Sequence, residues 1–132
     1  MRTKSRVFLL DDDDLIVSML ARALKGQGYE VFTETAPEGA LERIRSLAPD
    51  ITMLDIKLPG KSGLEILQEI MEQEVKTQVL MLTSDDSAET AVRAMKLGAA
   101  DYITKPFDLD EVKIVVRNLI EKGELRQEVE YL

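Results

Sequence analysis

"ITMLDIKLPGKSG", residues 51–63, carries two rival signals for phosphate. The triplet Gly60-Lys61-Ser62 matches the end of a nucleotide-binding P-loop, whereas Asp55 closes an apolar run and could itself accept a phosphoryl group. A P-loop needs Gly-x-x-x-x-Gly-Lys-Ser/Thr, because its glycines let successive backbone N–H groups wrap the phosphates. Here the first glycine would fall at position 55, which is Asp, and a carboxylate there would repel a phosphate. Pro59 removes a further donor from the supposed cradle. The stretch is better read as a buried strand over 51–54, a loop marked by Pro59, Gly60 and Gly63, and a helix capped by Ser62.

The same strand-then-helix unit recurs on both sides. Residues 7–10, Val-Phe-Leu-Leu, form a continuous apolar run, the pattern of a strand buried on both faces. From about 14 to 25, Leu15, Met19, Leu20, Ala23 and Leu24 recur at helical spacing, and Gly26 and Gly28 end that helix. Residues 29–33 read as a second strand. Pro37 fits the first turn of a helix running to about residue 47, with Leu41 and Ile44 inward. After the opening stretch, Leu64, Ile66, Leu67, Ile70 and Met71 line a third helix, 78–82 is a fourth strand, and 87–97 is a helix stopped by Gly98. A short fifth strand over 102–104 precedes a last helix starting near Asp108. Alternating units in one short chain predict an α/β fold, a doubly wound parallel sheet with helices on both faces.

Composition sets the limits. The chain has 132 residues, 45% of them hydrophobic, which suits one globular domain. It has neither cysteine nor histidine. That removes disulfides, thiolate catalysis, Ser-His-Asp chemistry and nitrogen or sulfur metal ligation, and leaves only hard cations on oxygen ligands. A net charge of −8 argues against direct nucleic-acid contact by this domain. No apolar run approaches the roughly 20 residues that span a bilayer, so no membrane contact is expected, and with no secretory pattern the expected location is cytoplasmic.

Ligands of doubly wound sheets gather at the carboxyl ends of the strands. The first strand ends in Asp11-Asp12-Asp13-Asp14, the third in Asp55, the fourth in Thr83-Ser84, and the fifth leads to Lys105-Pro106. Four consecutive acids usually form a solvated stretch. Directly after a buried strand, at least one of them must point into the crevice. The run lacks the glycine and distant glutamate of an EF-hand, whereas carboxylates on neighbouring strand ends suit the octahedral oxygen shell of Mg²⁺.

At this point the chain resembles a family, the response regulator receiver domain of two-component signalling, over about residues 5–122. The pieces that carry the resemblance are "VFLLDDDD", "ITMLDIKLPGKSG", "VLMLTSDDS" and "GAADYITKPFD", in that order. The resemblance implies a flavodoxin-like sheet of strand order 2-1-3-4-5. It implies Asp55 as phosphoacceptor, Asp11 and Asp12 as the acidic pair, and a Mg²⁺ cofactor held by Asp11, Asp12, Asp55 and the backbone carbonyl of Lys57. Thr83 becomes the switch hydroxyl, Tyr102 the switch aromatic, and Lys105 the conserved-type lysine beside a bond to Pro106 that is often cis. Asp14 is assigned to capping the first helix, and Ser62 stands where the family often has an acid. The expected partner is a sensor histidine kinase or phosphotransfer protein, since this chain has no histidine to act as donor. Such a domain is a switch rather than an enzyme, catalysing only its own phosphotransfer and autodephosphorylation.

Two other readings use the same residues. The motif Asp11-x-Asp13 after an apolar run is similar to the start of haloacid-dehalogenase-type phosphatases, with Asp11 as nucleophile and Asp13 as acid/base, although the Gly-Thr continuation is missing. A phosphorylation-independent pseudo-receiver would need none of these groups. Residues 1–122 are expected to form the receiver, and 123–132, "GELRQEVEYL", to begin a helical linker to an output domain. Leu125, Val129 and Leu132 stand at four-then-three spacing, the start of a heptad. This predicts a homodimer through the fourth helix, fifth strand, fifth helix and the extension. An AAA+-type, enhancer-binding transcriptional activator is the first expectation for the parent protein.

Overall fold

Alternating residues of the central strands face opposite layers of helices, and this builds the molecule. The computed structural model describes residues 4–84 and 88–131, with side chains as far as residue 127. Its elements are β1 (Arg6–Leu10), α1 (Asp14–Gly26), β2 (Glu30–Glu34), α2 (Ala40–Leu47), β3 (Ile51–Asp55), α3 (Gly63–Glu72), β4 (Gln78–Thr83), α4 (Ala88–Leu97), β5 (Asp101–Thr104) and α5 (Leu109–Tyr131). The strands form one parallel sheet in the order β2-β1-β3-β4-β5, as expected. Val7, Leu9, Ile51, Met53, Leu80 and Leu82 face α1 and α5, where they meet Val17, Leu20, Leu24, Val112 and Val116. Phe8, Leu10, Leu54, Val79 and Met81 face the other layer and meet Ile44, Ile66, Leu67, Ile70 and Ala94. Period-2 alternation in strands that are apolar on both faces therefore divides one sheet between two cores.

Several local expectations are corrected. Pro37 does not open α2. Ala40 N–H donates to the Pro37 carbonyl at 3.1 Å and Gly39 is left-handed, φ 74°, so a turn intervenes and the helix begins at Ala40. The buried stripe of α1 is Val17, Leu20, Ala21 and Leu24, whereas Leu15 and Met19 are exposed. Asp13, not Asp14, caps α1: its carboxylate accepts from the N–H groups of Leu15 and Ile16. Met71 is not buried; it lies partly exposed over Gly98, where a β-carbon would stand 2.3 Å from the methionine methyl. The second strand begins at Glu30 rather than residue 29, and the third and fourth each extend one residue further, through Asp55 and Thr83. The expected start of the fourth helix at Ser87 lies outside the described residues, as do Asp85, Asp86 and the side chains of Val129 and Leu132.

Candidate functional site

The carboxyl ends of β1, β3 and β4 and the residue after β5 meet on one rim. Asp11 follows β1 directly and is fully buried. Its Oδ1 accepts the Asp13 N–H at 2.9 Å, which turns the chain out of the strand and delivers Asp13 to its capping position. Its Oδ2 is buried and meets the Lys105 ammonium at 2.8 Å. Asp55, the last residue of β3, is only 4% exposed. Its Oδ1 accepts the Lys57 N–H at 3.2 Å, and its Oδ2 lies 3.3 Å from the same ammonium. Asp12 is exposed at the edge of the crevice. One carboxylate oxygen from each of Asp11, Asp12 and Asp55 falls within 4.8 Å of the others, close enough to share a cation.

Two backbone features hold Asp55. Ile56 N–H donates to the Leu82 carbonyl at 2.9 Å, extending the sheet past the acid. Gly63 lies so close behind it that a β-carbon would stand 2.1 Å from the Asp55 carbonyl oxygen, so only glycine lets α3 start there. The sequence marks Gly63 merely as a loop residue; its packing role has no local signature. Ser62 accepts the Leu64 N–H at 3.1 Å and caps α3 as expected.

Burial electrostatics follow from the crowding. Desolvation, then the neighbouring Asp11 charge, push the Asp55 carboxyl up to about 6, against the opposing pull of Lys105 and the Lys57 N–H. Burial alone would lower Lys105, but its hydrogen bond to Asp11 and the charges of Asp55 and Asp11 outweigh that and hold it above its ordinary value. Among the described residues, the rim is thus an acid-rich pocket with one ammonium, short of positive charge. Three carboxylates that can each bring one oxygen to a common point, with the Lys105 ammonium beside two of them, fit a hard divalent cation such as Mg²⁺.

The remaining expected residues are placed less tightly. Thr83 ends β4, is 1% exposed, and its carbonyl accepts the Lys105 N–H at 2.6 Å. In the sheet register it pairs with Thr104, one step beyond the Asp55–Leu82 pair, so it stands on the same rim as the acid. The Lys105–Pro106 bond is cis. Tyr102 is 41% exposed and lines an outer cleft with Ala91, Val92 and Met95 rather than the space behind Thr83. Lys57 is held through its N–H.

The profile of the response regulator receiver domain matches residues 7–117. The regulatory protein AtoC of Escherichia coli is 33% identical over 132 residues, all of this chain and 29% of that protein. The crystal structure of NtrX from Brucella abortus superposes with a TM-score of 0.89 at 34% identity, over 97% of this chain and 29% of that one. A CheY-like receiver domain protein from Methanospirillum hungatei superposes at 0.88 with 26% identity, over 94% and 99% of the two chains. The chain spans about a third of AtoC and half of another relative, the PhoP regulator of Bacillus subtilis. With its sheet order, its acid-rich rim and these similarities in agreement, the chain belongs to the response regulator receiver domain family.

Proposed function

We propose that Asp55 accepts a phosphoryl group from a phosphohistidine of another protein, a sensor histidine kinase or phosphotransfer protein. The observation that carries this is the setting of the Asp55 carboxylate. It is nearly buried yet on the rim, with Oδ1 on the Lys57 N–H and Oδ2 beside Lys105. A carboxylate oxygen forms the new bond to phosphorus, the P–N bond of the donor breaks, and its electron pair stays on the imidazole. Lys105 faces the oxygens that gain charge and needs little movement to do so, because Asp11 holds it in place. Asp11, Asp12 and Asp55, with the Lys57 carbonyl, would hold Mg²⁺. Bound there, the ion would supply the positive charge that lets an anionic donor approach an anionic acceptor.

Thr83 is the hydroxyl that reads the modified Asp55, and Tyr102 is the aromatic that follows it. The half-exposed position of Tyr102 supports this, since it leaves the ring an inward move to make. The output is control of transcription, in keeping with the transcriptional regulatory protein PhoP of Bacillus subtilis, in a cytoplasmic protein whose receiver covers 1–122. The extension from 123 then leads to an output domain, and the domain itself makes no nucleic-acid contact. No described helix is long and apolar enough to cross a membrane. The dimer forms through α4, β5, α5 and the extension. Autodephosphorylation is the one reaction the domain completes alone.

The phosphatase reading uses Asp11 and Asp13, and both are engaged. Asp11 is fully buried against Lys105, and Asp13 spends its carboxylate on the first N–H groups of α1. A pseudo-receiver would not require the acids, the ammonium and the hydroxyl on one rim. The deciding experiment is phosphorylation by acetyl phosphate with Mg²⁺, followed by mass spectrometry. One phosphoryl group on Asp55, absent in Asp55→Asn, is expected. Phosphate on Asp11, or on any acid of the Asp55→Asn variant, would overturn the assignment.

A further inference from the structure

Beyond Ile120, α5 leaves the protein body. Val112, Val116, Leu119 and Ile120 are buried, whereas between 121 and 127 only Gly123 is partly sheltered. A cleft of about 700 Å³ lies beside this part of the helix, lined by Met71, Val75 and Gln78 from the body and by Ile120, Gly123 and Gln127 from α5. Across it, Gln78 reaches the helix: its Nε2 donates to the Leu119 carbonyl. In an α-helix that carbonyl already accepts the N–H of residue 123, so the amide adds a second donor at the same turn.

Gly123 is what admits it. A β-carbon at 123 would stand 3.0 Å from Gln78 Nε2, tighter than ordinary contact. Glycine is otherwise poorly suited to a helix interior, and α5 does not stop there but runs on to Tyr131. The other end of the amide is unsatisfied, since Gln78 Oε1 is buried with no hydrogen bond. A glycine in mid-helix and a half-satisfied buried amide each weaken the ground state, and they occur in contact. Gln78 also opens β4, whose far end is Thr83, so one strand touches both the acidic rim and the extension.

We propose that Gln78 and Gly123 form a joint in which Gln78 is the positioning residue that sets the direction of the extension, 123–131, and that breaking its bond to Leu119 lets the extension swing over the cleft. The chain has no cysteine, so spin labels can be placed cleanly at Glu72→Cys and Gln127→Cys, both exposed sites. The distance distribution measured by pulsed electron resonance should be single and narrow in the parent. In Gln78→Met, which keeps the length but loses the donor, it should shift or become roughly twofold broader. Gly123→Ala crowds the end of the Gln78 amide, which has to give by a few tenths of an ångström, and should do the same, although helix propensity alone would stiffen the helix and narrow the distribution. Lys76→Ala, in the same cleft, should change nothing. If Gln78→Met fails to fold, Gly123→Ala, which removes no core side chain, decides. Distributions unchanged in both variants, or a narrower one in Gly123→Ala, would overturn the joint.

Discussion

Lys105 bridges to Asp55 across the rim, its ammonium 3.3 Å from Oδ2, while the same nitrogen holds Asp11 at 2.8 Å. One cation therefore balances two nearly buried carboxylates. Removing it leaves both acids unopposed. Lys105→Ala should lose on the order of 2 kcal/mol of stability in chelator, and saturating Mg²⁺ should return most of that by supplying the missing charge. Phosphorylation of Asp55 by a small donor should slow about 100-fold, the scale for losing one preorganised charge contact. Equal destabilisation with and without Mg²⁺ would show that the lysine packs rather than neutralises. Thr83→Ala should still accept phosphate but lose the phosphorylation-dependent change in partner binding.

Asp12 gives a cleaner test of the cation, because it is exposed and makes no side-chain hydrogen bond or ion pair among the described residues. Mg²⁺ at about 100-fold over its dissociation constant should stabilise the parent by about 2.7 kcal/mol. Asp12→Ala should bind Mg²⁺ more weakly and show little of that gain, with its stability in chelator unchanged or raised. A thermal melt with and without Mg²⁺ measures both. Equal Mg²⁺ stabilisation in parent and variant would remove Asp12 from the ligand set.

Most of the rim is readable in the chain because its residues are fixed by strand ends. Asp11, Asp55 and Thr83 each close an apolar run, and the fold rule for parallel sheets then gathers them at one edge. Adjacent acids are different. Asp13 and Asp14 look alike in sequence, and only the Asp11 bond to the Asp13 N–H decides which one caps α1. Leu15 and Met19 are four apart, as are Leu20 and Leu24, but at 3.6 residues per turn the two pairs fall on different faces of α1, and the first pair faces solvent while Val17, Leu20, Ala21 and Leu24 form the buried stripe. Gly63 behind Asp55 and Gln78 beneath Leu119 act through contacts between distant segments, which no local pattern encodes.

Without a cation, the raised Asp55 carboxyl should show in the pH dependence of stability. Its folded value, about 6, lies above the ordinary value near 4, so the folded chain binds the extra proton between those two pH values. Stability from this group is present below about pH 4 and is lost as pH rises through 6. Asp55→Asn should flatten that part of the profile and be more stable than the parent at pH 7 in chelator, by on the order of 1–2 kcal/mol. Denaturant titrations of both proteins from pH 4.5 to 7.5 check this. Parallel profiles would mean that Asp55 is not under the strain the crevice imposes.

The extension is the last point of leverage. α5 continues unbroken to Tyr131, and Leu125 is 61% exposed on a stretch that has already left the body. An exposed leucine at the start of a heptad is costly in water and is covered when two such helices pair. Alone, so short a seam is marginal, and it must add to contacts elsewhere to hold a dimer. The α4–β5 face offers them: Val92, Met95 and Tyr102 are exposed side by side around one apolar cleft. Light scattering should therefore show a dimer whose dissociation constant rises about tenfold or more in Leu125→Asp, on cutting after Lys122, or in Val129→Asp. Val92→Asp on the other face should weaken it similarly. Beryllofluoride with Mg²⁺, as a mimic of the phosphorylated state, should tighten the parent dimer if Thr83 and Tyr102 reshape that face. A monomer at high concentration both with and without the mimic would sink the dimer. A dimer indifferent to Leu125→Asp and Val129→Asp would confine it to the α4–β5 face.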